Sequence, residues 1–303
     1  MNVKSVNELE EPTFVGGSWR ILDVRGRLVR VGPRSNLIGL VFEGCDFTGV
    51  SFAGAAMKRA RFVNCTFDSA EIFDVNAYGA VFDNCSMRDA KVKETKLSWA
   101  IFTGCTFGGA TLEQVSLKGS VFVSCTMMGC QFSKCDLSWA RFTGITDSKM
   151  SFFHSTLLNS EFDHLAGRGL VAYFGGTFRN VVVRDSHIWV VAKDVDIDEC
   201  LFENNDMEGS KFITTQILNS SFSNCILDRS YGPNSTILGT IFNRCTMLAA
   251  ELPRQIGAGN RVMGCTFDGP QPMATDSTGV VLGGSKLRGE ESTTTDNNEE
   301  DEQ

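Results

Sequence analysis

Almost every fifth residue from Leu37 to Phe162 is large and apolar, and the same register resumes without slippage from Ile197 to Phe267. It begins Leu37, Phe42, Phe47, Phe52, Met57, Phe62, Phe67 and Ile72. A period of five fits neither an α-helix nor a strand, so no single regular element buries these side chains together. They share one core only if the chain winds into a coil of short, equivalent segments. Two residues ahead of each large residue stands a small one, as at Cys45, Ala55, Ala60, Cys65, Ala70, Ala80, Cys85, Ala90 and Ala100. The unit is small-x-large-x-x, seen in Ala60–Asn64, Cys105–Gly109 and Cys135–Trp139.

A second period, of twenty, lies over the first. One column reads Phe42, Phe62, Phe82, Phe102, Phe122, Phe142, Phe162, Val182, Phe202, Phe222, Phe242 and Val262. Another reads Cys45, Cys65, Cys85, Cys105, Cys125 and Ile145, and later Cys225, Cys245 and Cys265. Four units therefore close one turn of a solenoid, whose turns bury each other's inward side chains through a parallel ladder. The Phe column is the expected structural core.

These repeats resemble the pentapeptide-repeat family over most of the chain. The resemblance implies an all-β fold, a right-handed quadrilateral parallel β-helix of about twelve coils, with the large residue and the preceding small one both pointing inward. The expected organisation is a flexible leader at 1–12, a β-hairpin cap at 13–36 around Arg25 and Gly26, repeats at 37–269, and a C-terminal segment at 270–303 ending in a disordered acidic tail. Caps matter because an open solenoid end exposes unpaired backbone groups and bare core rings. Within the repeats, 163–196 are degenerate, with Gly167, His187 and Ala192 where large residues are expected. Pro270 and Pro272 end the motif, and Val280–Leu287 adds one last strand.

Charge is uneven. Residues 1–36 carry +2 and residues 270–303 carry −6 of an overall −8, so the repeat body is only −4. Arg20, Arg25, Arg27, Arg30 and Arg34 crowd residues 16–36 against the lone Asp23. Eleven cysteines fall on the inward small position, where Cys acts as a small buried hydrophobe. Stacked thiols have nearly parallel Cβ vectors, a poor geometry for a disulfide. That many unpaired thiols fit a reducing compartment. Cys125, Cys130 and Cys135 share one coil, but no His joins them to make a zinc site. No secretory signal or membrane span is visible, and a cytoplasmic location is expected, although an effector exported by a dedicated machine would read the same way.

Catalytic chemistry is not in view. His154, His164 and His187 are scattered, and no zinc-protease, nucleophile-elbow, phosphate-loop or dinucleotide motif occurs. Asp147 is the one acid on the inward large position, where it is either a buried carboxylate or a residue bulging outward at a distorted corner. No enzyme activity, cofactor or metal is expected.

The outer surface carries the functional signal. Residues flanking the inward Phe point outward, and on three consecutive coils they are Val81, Ile101, Val121 and Val123. Trp99 and Trp139 end the preceding repeats at the same edge, and Arg61 and Arg141 bracket the stripe. An apolar centre with aromatic and Arg neighbours has the composition of a protein interface, whereas isolated β-branched residues on strands would be unremarkable. The expected function is a non-catalytic interaction scaffold for a protein partner or a second copy in a homodimer, with no membrane and no direct nucleic-acid binding. The alternative is a DNA mimic directed at a type II topoisomerase, a role some members of the family perform. It requires a strongly acidic exterior, whereas Asp68, Glu71, Asp74, Asp83 and Asp89 are diluted by Arg59, Arg61, Lys91 and Lys93. A secreted bacterial effector is a further alternative.

Overall fold

A residue with positive φ recurs at nearly every fifth position from Arg34 to Gly264, mostly at numbers ending in 4 or 9 and one further on at Gly175, Asn180 and Asp185. Each turns the extended backbone through one corner of a quadrilateral. Gly, Asn and Asp dominate these corners because they enter the left-handed region at least cost. The computed structural model describes residues 34–267 apart from 148, 167–168, 233 and 252–258, together with the strands Arg20–Asp23, Val281–Gly283 and Lys286–Leu287. For 169–172 and those three strands, the backbone alone is described.

The result is the expected all-β parallel solenoid. Its first face is a 14-stranded parallel sheet running from Arg20–Asp23 to Val281–Gly283. The third face, opposite, begins at Glu71–Phe73 in an 11-stranded sheet that turns the corner through Met150–Leu158 and Gly169–Arg179 and continues onto the fourth face as Asp196–Asp198, Gln216–Leu218 and Thr236–Leu238. The second and fourth faces are held in their N-terminal halves by single parallel bridges, such as Asp46 to Thr66 and Asn36 to Ala56. Rungs repeat at about 4.8 Å, so the first sheet is about 60 Å long. No helix among the described residues is long and apolar enough to cross a membrane.

Inside, the Phe column forms two ring stacks, Phe42 to Phe162 and Phe202 to Phe242, separated by the aliphatic Val183. Phe42 and Phe62 lie 5.1 Å apart, Phe102 and Phe122 4.8 Å, and Phe202 and Phe222 4.6 Å, with interplanar angles of 7°, 8° and 3°. Phe82, Phe142, Phe162 and Phe242 belong to the same two stacks. Neighbouring columns meet them edge to face, as Phe47 meets Phe42 at 78°, the arrangement that aromatic quadrupoles favour.

All eleven cysteines are buried and unbridged. Their thiols have a second role beside filling space, since the sulfur of Cys65 lies 3.5 Å from the carbonyl oxygen of Phe42 on the coil below. At several positions where the small residue is polar the same bond recurs, whereas the buried hydroxyls of Ser120 and Ser230 have no partner among the described residues. Ser160 Oγ donates to Leu137 at 2.8 Å, and Asn205 Nδ2 donates to Val183 at 2.9 Å. Burial pushes the Cys135 thiol up to about 11 and the Cys200 thiol up to about 12.

The segment 163–196 corrects one expectation. Phe162 pairs with Val183, which pairs with Phe202; Val182 faces outward instead. One extra residue enters between Ala166, whose N–H still bonds Ile145 in phase, and Val171, which pairs with Met150. One is removed between His187, paired with Asp206, and Val191, paired with Lys211. His187 is consequently exposed while Ile188 takes the inward place, and Ala192 is buried in register. Far from being weak, this stretch holds the longest strand, Gly169–Arg179, which pairs with Met150–Leu158 on the coil before it. Asp147 resolves as an exposed corner residue with φ 49°, and Met150 fills the interior beside it.

At the ends, Arg20–Asp23 pairs in parallel with Val41–Glu43 and adds a rung below the first coil. Val281–Gly283 pairs with Arg261–Met263 and Lys286–Leu287 with Thr266–Phe267, so the winding passes the two prolines. The leader, most of the cap segment, Gly167 and the acidic tail lie outside the described residues.

Phe102→Ala and Phe122→Ala should each destabilise the fold by about 3–5 kcal/mol, since each leaves a gap in a stack that cannot collapse. An unchanged melting temperature in either variant would show that the column is not the core. The thiols should resist alkylation in the native protein. Because the Cys135 and Cys200 values are raised from an ordinary 9.0, their contribution is complete below that pH and is lost as pH rises through about 11 and 12. Melting temperatures measured across that window should fall, and less steeply in a Cys135→Ala/Cys200→Ala variant.

Candidate protein-interaction face

The apolar stripe on the first face is a single ladder. Arg61 pairs with Val81, Val81 with Ile101, Ile101 with Val121, and Val121 with Arg141. Val123 lies on the other side of inward Phe122. Ile101 is 41% exposed, and Val81, Val121 and Val123 are half-buried by their neighbours. All of these side chains point outward, as the spacing required.

Trp99 and Trp139 sit on the corner between the fourth and first faces, and both are more than half exposed. Each holds positive φ, 61° and 65°. A bulky side chain in that region costs about 1–2 kcal/mol, and such strain concentrates where a surface has work to do. Gly119 occupies the same corner on the coil between them. A Cβ there would lie 2.9 Å from Cδ2 and Cε3 of the Trp99 indole, so the ring lies across a backbone that only glycine leaves bare. The alternation of bulky residue and glycine extends down the corner, where the Arg59 stem lies 3.7 Å from a Cβ built on Gly79.

Trp99, Ile101, Val121 and Trp139 line one wall of an open groove of about 530 Å³. Its far end is ionic. Arg141 Nε lies 3.7 Å from Glu161, and Arg184 Nη1 lies 3.3 Å from the same carboxylate. Outside the groove, at the other end of the stripe, Arg61 reaches Asp83 at 3.5 Å. The bracketing arginines are thus held by carboxylates on adjacent rungs. The sequence reading assembled the stripe and both tryptophans, and missed Gly119, Glu161 and Arg184. The glycine was readable as a gap in the corner column; Arg184 was hidden by the one-residue shift.

Two other clusters bring titratable side chains together. Asp163, His164 and Asp185 bring three ligand-type atoms together, with His164 Nδ1 2.7 Å from Asp163. A second groove, of about 420 Å³, holds His187 3.3 Å from Asp206, with Arg229 2.9 Å from Glu208 and the Trp189 indole N–H donating to Gly209 at 2.6 Å. These polar groups satisfy one another on the surface, and neither cluster presents a nucleophile beside a base.

A family model for pentapeptide repeats in eight copies matches residues 34–68 and 67–104, and a model for the pentapeptide repeat region matches residues 96–166. Residues 34–166 thus carry pentapeptide repeats. No curated protein matches it in sequence. Among solved structures, it is similar to HetL, a pentapeptide repeat protein involved in heterocyst differentiation regulation from the cyanobacterium Nostoc sp. strain PCC 7120, at 12% identity over 85% of this chain and 89% of that one, with a TM-score of 0.29. It is also similar to QnrB1, a plasmid-mediated fluoroquinolone resistance protein, at 17% identity over 84% and 92%, with a TM-score of 0.22. The Agl-KA catalytic domain gives 12% identity over 86% and 62%, with a TM-score of 0.41. Likenesses of this size carry no argument about partner or activity.

Gly119→Ala should force the Trp99 indole off its seat, with a red-shifted tryptophan emission and a loss of about 1–2 kcal/mol from the added Cβ at positive φ. An emission spectrum identical to the parent's would show that the ring does not rest there.

Proposed function

We propose that the protein is a non-catalytic interaction scaffold that presents the stripe from Val81 to Val121, with its tryptophan corner, to a protein partner. The observation that carries this reading is the contiguity of three outward apolar side chains on directly paired rungs with two indoles more than half exposed at their edge. Scattered apolar residues need no explanation, but a contiguous patch rimmed by charge is the composition of a binding surface. Rigidity favours the role, because a face built on stacked rungs loses little conformational entropy on binding.

The DNA-mimic reading draws no support from the surface. Glu71 pairs with Lys91, Asp83 with Arg61, and Glu113 with Lys93, each at 3.5 Å, which neutralises acids that a mimic would leave bare.

Ile101→Lys with Val121→Lys tests the proposal. Both side chains point to water, so the melting temperature should stay nearly unchanged while partner capture from a host extract, and any self-association seen by sedimentation, is lost. Retention of the full binding profile in this variant would remove the stripe as the interface. Inhibition of topoisomerase supercoiling by the parent and the variant alike would favour the mimic instead.

A further inference from the structure

Around the corner from the stripe, the fourth face of the first coils carries cations and no anion. Its outward positions from Asn36 to Gly119 include Lys58, Arg59, Lys96 and Lys118, all exposed. None of these four is in an ion pair among the described residues, whereas Arg61, Lys91 and Lys93 on the neighbouring faces are each held by a carboxylate. The first acid on this face is Asp136, a coil further on, and it accepts the N–H of Ser138. Ile38 and Tyr78 stand among the cations, 49% and 45% exposed, and share with Lys58, Arg59 and Lys96 a shallow groove of about 590 Å³. In a chain of net charge −8, a face with only cations is a local reversal of the field, and it concentrates anionic ligands.

The strip has two unlike borders. On one side, the corner column carries Asp74 and Glu94. On the other, Arg59 and Trp99 share the corner that opens onto the apolar stripe. A nucleic acid would bring a phosphate at every nucleotide and need many neutralising contacts, and the acidic corner and body oppose it. A polypeptide can place carboxylates over the lysines alone and keep apolar side chains for Tyr78, Ile38 and the stripe. Lys58 and Lys118 are three rungs apart, about 14 Å, which an extended chain covers in about four residues.

We infer that this face binds an acidic polypeptide segment, the carboxylate-bearing flank of the partner whose apolar part docks on the stripe. The inference rests on the stripe being a protein interface, and adds the chemistry of what lies beside it.

The test is anisotropy of labelled poly-L-glutamate with the full chain. Binding is expected at low salt and should weaken as salt rises. Lys58→Glu/Lys96→Glu/Lys118→Glu should weaken it by at least about tenfold, with the Gln triple variant intermediate and both variants melting like the parent. Ile101→Ser/Val121→Ser disables the stripe without adding charge and should leave poly-L-glutamate binding intact, so the two proposals fail separately. Equal binding by the parent and the Glu triple variant would overturn the inference. Tighter binding of single-stranded oligothymidylate than of poly-L-glutamate would also overturn it and assign the face to nucleic acid.

Discussion

The fold depends on one backbone constraint, a left-handed corner at every fifth residue. Each corner imposes a conformation that L-residues adopt at a cost, about 1–2 kcal/mol for side chains less tolerant than Asn or Asp. The cost is met by what the corner makes possible, namely successive coils that present matched N–H and C=O groups to each other and bring large and small inward positions into columns. A solenoid of this kind has no central core apart from its columns, so the Phe column and the small-residue columns beside it are as extended as the molecule. The hydrogen bonds from inward Cys, Ser, Thr and Asn to carbonyls of the coil below explain why the small position accepts these residues as readily as Ala.

The same constraint organises the exterior. Any outward residue has its counterparts directly above and below, so like residues twenty apart form a stripe, and the properties of a face add up along it. Ile101 alone would be an ordinary exposed strand residue. Between Val81 and Val121, with an indole at the edge, it becomes part of a surface. The four cations of the adjoining face, in no ion pair among the described residues, gain weight in the same way, since Lys58 and Arg59 share a rung, Lys96 lies two rungs on and Lys118 one further, and no carboxylate interrupts them.

Much of this was legible in the chain because spacing is the whole code here. The Phe column, the inward cysteines and the outward stripe follow from arithmetic on residue numbers. That arithmetic fails where length changes. Val182 was assigned to the column that Val183 occupies, and His187 was placed where Ile188 sits, because nothing in the letters marks an extra residue near 167 until neighbouring rungs are paired. The corners were also underread. Trp99 and Trp139 at positive φ, and Gly119 as the bare backbone between them, are facts of three-dimensional stacking. The cationic strip escaped for another reason. Charge summed over the repeat body gives −4 and suggests near neutrality, whereas the sum taken face by face does not.

The paired shift at 167–190 has a consequence for how such a molecule can change. An extra residue alone would advance every later side chain by one step around the coil, turning Phe202 and Phe222 toward solvent and sending the polar positions inward. With one residue removed about a coil later, the phase is restored, and Leu201 and Ile241 emerge on the same face as Ile101. The solenoid thus behaves like a screw thread: a defect in pitch is harmless only when its opposite follows before the next nut. Lineages of this architecture should accumulate single insertions and deletions as closely spaced couples, and the interval between members of a couple should mark the length over which a misphased surface can still be carried.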